Sequence, residues 1–126
     1  MEKNNKTIKK KPVKKKIDKS TLKIINSAPS RNDVVTKEKL DGYFAITGEA
    51  LKMASLAHKM IGKEEQALDF LDMASRYYED AKYFEKKGDY VLAFAALNYA
   101  HGWLDAGARI KLFKVNDSRL FTVDDD

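Results

Sequence analysis

The chain has 126 residues, with 24 Lys and Arg against 19 Asp and Glu, a formal charge of +5 and no Cys. That length suits one domain with a segment to spare. The lack of Cys excludes disulfides and thiolate metal sites, and no run of about 18 apolar residues offers a membrane span.

Residues 1–19 (MEKNNKTIKKKPVKKKIDK) are Lys-rich and low in complexity. Residues 1–35 hold ten Lys and Arg31 against Glu2, Asp18 and Asp33, a net of +8, which leaves −3 on residues 36–126. The scattered Ile8, Val13 and Ile17 do not offset a backbone ordering cost of roughly 1–2 kcal/mol per residue, and Pro12 removes a helical donor. A disordered basic arm and linker is expected over 1–35. Two readings of it stay open. Lys9, Lys10, Lys11, Lys14, Lys15 and Lys16 either anchor the protein on a polyanion such as RNA, DNA or the ribosome, with salt-dependent affinity, or simply keep it soluble. No Arg or aromatic lies within the Lys run, which argues against base-specific or stacking recognition. The start also lacks the apolar segment of a secretory signal, so a cytoplasmic location is expected. A short apolar patch, Leu22, Ile24 and Ile25, precedes loop-forming residues through Asp33.

The remainder, 36–126, reads as an all-α, compact antiparallel three-helix bundle with a C-terminal tail. Helix one is expected over about 36–61, with Thr36 as N-cap. Its inward face runs Leu40, Tyr43, Phe44, Thr47, Ala50, Leu51, Ala54, Ala57, His58 and Ile61, and Gly62 is its stop. Gly42 and Gly48 mark either close helix approach or a weak first turn and a bend. Helix two is expected over about 64–87, with Glu64 and Glu65 at the end that favours negative charge and Lys86 and Lys87 at the end that favours positive charge. Ala67, Phe70, Leu71, Ala74, Tyr77, Tyr78, Ala81 and Phe84 face inward. Asp72, Arg76 and Asp80 form a solvated face with i,i+4 pairing. Gly88 takes the left-handed conformation that ends this helix. Asp89 caps the next, and so short a link makes the two antiparallel.

Helix three is expected over about 90–113. One apolar stripe is Ala93, Leu97, Ala100, Leu104 and Gly107. A second is Leu92, Ala96, Tyr99, Trp103, Ala106 and Ile110. Three-helix bundles leave much of each helix wet, so this width asks for cover from the tail (Leu120, Phe121, Val123) or from a second chain. A homodimer through this helix would also aid a body of only about 90 residues, which buries roughly 60–65% of its unfolded surface.

One polar line crosses helix three: Asn98, His101, Asp105 and Arg109 share a face. Asp105 is placed to fix the His101 tautomer, and Arg109 to hold a phosphate or carboxylate. A structural relay across the bundle is the plainer reading, ahead of ligand binding and, last, catalysis. Two His without Cys or HExxH do not make a zinc site, and neither His follows a Glu by three residues as a di-iron bundle requires. No phosphate loop or nucleophile elbow occurs. No cofactor, metal or catalytic residue is assigned.

The runs RYYEDAKYF, GDY with AF, and YAHGWLDAGAR resemble the archaeal domain of unknown function family number 357, over about residues 36–123. The resemblance implies a three-helix bundle, an archaeal cytoplasmic source and no known activity. Its motif maps onto Asp80, Tyr83, Phe84, Gly88, Asp89, Tyr99, His101, Gly102, Asp105 and Arg109. The Lys-rich arm lies outside that pattern. The function expected is a non-enzymatic interaction or adaptor module whose arm attaches it to a polyanion. The alternative is a small-ligand or anion-binding bundle, or an enzyme, working through His101, Asp105 and Arg109.

Overall fold

The computed structural model describes residues 32–124. The Lys-rich arm, the patch at Leu22, Ile24 and Ile25, and the last two Asp lie outside the described residues. Three helices follow in order: α1 Lys37–Leu56, α2 Glu64–Lys86 and α3 Tyr90–Arg109. Phe44 packs edge-on against Tyr78 and Phe70 against Trp103, while Tyr43 meets Phe94 in the same way. These pairs set α2 antiparallel to both neighbours and α1 parallel to α3.

Local sequence explains the inner ends of the helices. Thr36 caps α1, its Oγ1 accepting from the Lys39 N–H at 3.2 Å, which satisfies a donor the helix leaves unpaired. At the end of α2 the Asp89 N–H donates to the Phe84 carbonyl and the Gly88 N–H to that of Glu85, each at 2.9 Å. This double closure requires a left-handed residue, and Gly88 supplies it with φ 78°. The Asp89 carboxylate then accepts from the Leu92 N–H at 3.0 Å and starts α3.

Two helix ends differ from the sequence reading. The first helix stops at Leu56 and not near residue 61, and the third at Arg109 and not near 113. The reason is long-range. Beyond both helices the chain runs side by side in an antiparallel bridge of Lys59 with Phe113. The Met60 N–H donates to the Leu112 carbonyl at 2.8 Å, and the Lys114 N–H to that of His58 at 2.9 Å. These bonds replace the helical ones that residues 58–61 would have made. Ile61, in phase with the apolar face of α1, is therefore 92% exposed. Gly62 sits in the following turn with φ 84° and does not cap α1 directly.

α3 ends in the same double closure as α2. The Leu112 N–H reaches the Gly107 carbonyl at 2.8 Å, and the Lys111 N–H that of Ala108 at 3.0 Å. Here the left-handed position is Lys111, φ 65°, the only residue other than Gly with positive φ among those described. The turn drives Leu112 and Phe113 into the core. The far end of the Phe113 ring abuts Gly107, where a Cβ would overlap it.

Small residues bring the helices close. Ala50, Ala54, Ala67, Ala74, Ala81, Ala93 and Ala100 are fully buried, and Ala at contact positions permits the short end of the usual 8–10 Å helix separation. The larger core side chains at one end of the bundle come from beyond α3: Leu112, Phe113, Leu120 and Phe121 join Leu71 and Leu104 there. Leu40 and Leu97 fill the other end with Ala81, Ala93 and Ala96. The C-terminal tail is thus part of the core. No described helix is long and apolar enough to cross a membrane.

Candidate functional site

α3 turns the middle of the polar line, His101 and Asp105, toward α1 and the tail. His101 is mostly buried, and both ring nitrogens are engaged. Nε2 lies 2.6 Å from the Leu120 carbonyl, and Nδ1 lies 3.0 Å from Thr47 Oγ1. A carbonyl only accepts, so Nε2 carries the proton and donates to Leu120. In a neutral imidazole with that tautomer, Nδ1 is the acceptor and the Thr47 hydroxyl the donor. Thr47 is the buried polar side chain of α1, and an unpaired hydroxyl there would cost about 1–3 kcal/mol. His101 therefore ties α1, α3 and the tail together.

Asp105 extends the tie. Its Oδ1 accepts from the Thr122 N–H at 2.8 Å and its Oδ2 from the Thr122 hydroxyl at 3.1 Å. His101 Nε2 is 3.8 Å from Asp105 Oδ1, further than its bond to Leu120. The tail is shaped for this docking by Asp117. The Asp117 carboxylate accepts from Arg119 through Nη2 at 2.7 Å, the backbone N–H at 3.0 Å and Nε at 3.1 Å. The Asp117 carbonyl receives the N–H groups of Leu120 and Phe121. The hydrogen bonds from the Arg119 side chain, and then that from its backbone N–H, hold the Asp117 carboxyl below its ordinary value.

The four residues of the line thus divide. His101 and Asp105 come together with Thr47, Leu120 and Thr122. Asn98 is exposed on the outer side of α3. Arg109 is exposed one turn beyond Asp105, where it borders an open cleft with His58, Lys111 and Lys114. Sequence spacing indicated the line but not the partners from α1 and the tail. Thr47 carried the one available signal, a hydroxyl in the middle of an apolar face. The face with Asp72 and Arg76 is solvated as its spacing implied, with Arg76 Nε 2.9 Å from Asp72 Oδ2.

The two apolar stripes of α3 also divide. Ala93, Leu97, Ala100, Leu104 and Gly107 are buried. Of the second stripe, Ala96 is buried and Trp103 half-buried, packed edge-on against Phe70 and Tyr99. The rest stays open: Leu92 is 45% exposed, Tyr99 50% and Ile110 56%. With the exposed Ala95, Gly102 and Ala106, they make one continuous outward row at three-and-four spacing. The tail covers the His101 and Asp105 edge of α3 and leaves this row bare.

A family model described as a protein of unknown function (DUF357) matches residues 42–113. The chain belongs to the DUF357 family. The DUF357 match covers most of α1, all of α2 and α3, and the turn to Phe113. It includes Thr47, His101 and Asp105, whereas their tail partners Leu120 and Thr122 lie beyond it. Neither a curated protein nor a solved structure matches this DUF357 chain.

Proposed function

We propose that the protein is a non-enzymatic interaction module that associates through the outward face of α3 and attaches to a polyanion, RNA or DNA, through its Lys-rich arm. The observation that carries this reading is the bare row Leu92, Ala95, Tyr99, Gly102, Ala106 and Ile110. A continuous exposed apolar row along one helix is characteristic of a contact surface, and it combines large residues with small ones. An antiparallel second copy, centred between Tyr99 and Gly102, seats each Tyr99 on the partner's Gly102. The same register brings Ala95 over Ala106 and the 69%-exposed Val91 against Ile110. A two-fold axis makes such contacts self-complementary.

The reading through His101 and Asp105 as a ligand site has less support, because their polar atoms are engaged with Thr47, Leu120 and Thr122. For the arm, the support is the segregated charge of residues 1–35. Light scattering across a concentration series tests the association, with a dimer as the expected result. Salt-dependent binding of labelled RNA or DNA tests the arm. A strict monomer that binds neither nucleic acid would sink the proposal.

A further inference from the structure

Where α1 stops and α3 turns out, the bundle end holds an open cleft of about 870 Å³ lined by His58, Lys59, Arg109, Lys111, Lys114 and Asn116, with Asp124 also on its wall. Four cations against one carboxylate make this a positive spot on a body whose net charge is negative. Helix C-termini attract cations for structural reasons alone, and Lys59 is used that way: its Nζ donates to the carbonyls of Ser55 at 2.7 Å and Ala57 at 3.0 Å. The side chains of Arg109, Lys111 and Lys114 make no hydrogen bond or ion pair among the described residues; the end of α3 favours a cation at Arg109, whereas Lys114 lies beyond that last turn.

Lys111 adds an independent observation. It occupies the left-handed position of the turn that closes α3, with φ 65°, whereas the equivalent turn after α2 uses Gly88 at φ 78°. Gly adopts that conformation without strain, and a Lys does not. Strained backbone that the surroundings enforce concentrates at functional sites. Here the strained residue is one that brings an ammonium group to the cleft.

We infer that this cleft binds the phosphates of a nucleic-acid backbone, as a second contact in addition to that of the arm; the inference rests on the polyanion reading proposed above. Arg109 supplies a fork for phosphate oxygens, and Lys111 and Lys114 supply point charges. Phe113, the one Phe, Tyr or Trp in the lining, is fully buried and offers no face to a base. Recognition is of charge, independent of base sequence.

The test uses the full chain and labelled single-stranded RNA and DNA of mixed sequence, by fluorescence anisotropy at two salt concentrations, with inorganic tripolyphosphate as a second probe. Lys111→Gly is the decisive variant, because it relieves the strain while removing the charge. It should keep or raise the thermal midpoint while weakening binding about threefold to fivefold, with a salt slope shallower by about one. Arg109→Gln with Lys114→Gln should cost about tenfold or more. A third variant changes Lys9, Lys10, Lys11, Lys14, Lys15 and Lys16 to Gln. If it alone loses binding, the arm carries the contact and the cleft inference is overturned. If only the cleft variants lose binding, the inference stands and the arm reading fails. Lys111-dependent binding of tripolyphosphate without binding of either oligonucleotide overturns the nucleic-acid assignment. Wild-type protein that binds none of these probes overturns both.

Discussion

One added methyl group distinguishes two glycines of α3. At Gly107 a Cβ would enter the ring of Phe113, which is fully buried and has no room to retreat, whereas at Gly102 nothing lies within 4 Å of where a Cβ would stand. Gly107→Ala should therefore destabilise by about 1–3 kcal/mol, less a helix-propensity gain of up to about 1 kcal/mol. Gly102→Ala should keep that gain whole. Denaturant midpoints of the two variants should move in opposite directions, and a shift of the same sign in both would refute the packing of Phe113 on Gly107. His101 is the second residue whose replacement has a defined cost. His101→Ala leaves the Thr47 hydroxyl buried without its partner and frees the Leu120 carbonyl. A loss of about 2–3 kcal/mol is expected, with faster amide exchange at Thr122 as the tail loosens. An exchange pattern confined to α1, with the tail unaffected, would contradict the tie between His101 and Leu120.

At the scale of elements, the tail after α3 behaves as a fourth packing unit held by one short turn. Asp117 organises that turn in its ionised form, and its bonds to Arg119 lower its carboxyl below the ordinary value of 3.8. A group whose folded value is depressed contributes stability that is present above its unfolded value and lost as pH falls through the folded one. The tail should accordingly stay docked at neutral pH and loosen as pH drops below about 4. Amide exchange of Leu120 and Phe121 in acid follows this directly, and Asp117→Asn should show the loosened behaviour already at neutral pH. Protection that is flat with pH in the wild type would remove Asp117 from this role. The elements also show what a sequence makes legible. The hairpin of α2 and α3 is written locally, in Gly88 and Asp89, because both caps use neighbours within five residues. The end of α1 is not, since residues 58–60 and 112–114 satisfy each other's backbone across more than fifty positions, and α3, though it closes on its own Gly107 and Ala108 carbonyls, does so at a Lys that does not announce a left-handed turn. Ile61 kept the helical period while the chain left the helix. The polar line was visible by its spacing. Its division into a buried tie at His101 and Asp105 and an exposed Arg109 depended on where the tail lands.

At the scale of the molecule, the question is whether the bare row on α3 specifies one partner arrangement or is merely adhesive. Gly102 decides between these. In the isolated bundle its side is open, and Gly costs a helix interior up to about 1 kcal/mol relative to Ala. A residue that weakens the monomer and meets no neighbour within it is explained if a second chain comes close at that point. In the proposed antiparallel pair the notch at Gly102 receives the partner's Tyr99. Tyr99 is itself propped by the ring of Tyr77, with centroids 4.5 Å apart, and so is held ready to enter. Gly102→Leu separates fold from association. It adds apolar surface at an open helix position and should leave the monomer as stable or more so, while filling the notch on both sides of the two-fold axis. Nonspecific adhesion would grow with the added apolar area. A register built on Tyr99 and Gly102 should instead weaken, by about tenfold or more in dimer dissociation constant if overpacking costs the usual 1–3 kcal/mol at each notch. Light scattering and sedimentation of Gly102→Leu beside wild type at matched concentrations read the sign of the change, and stronger association in the variant would defeat the antiparallel register.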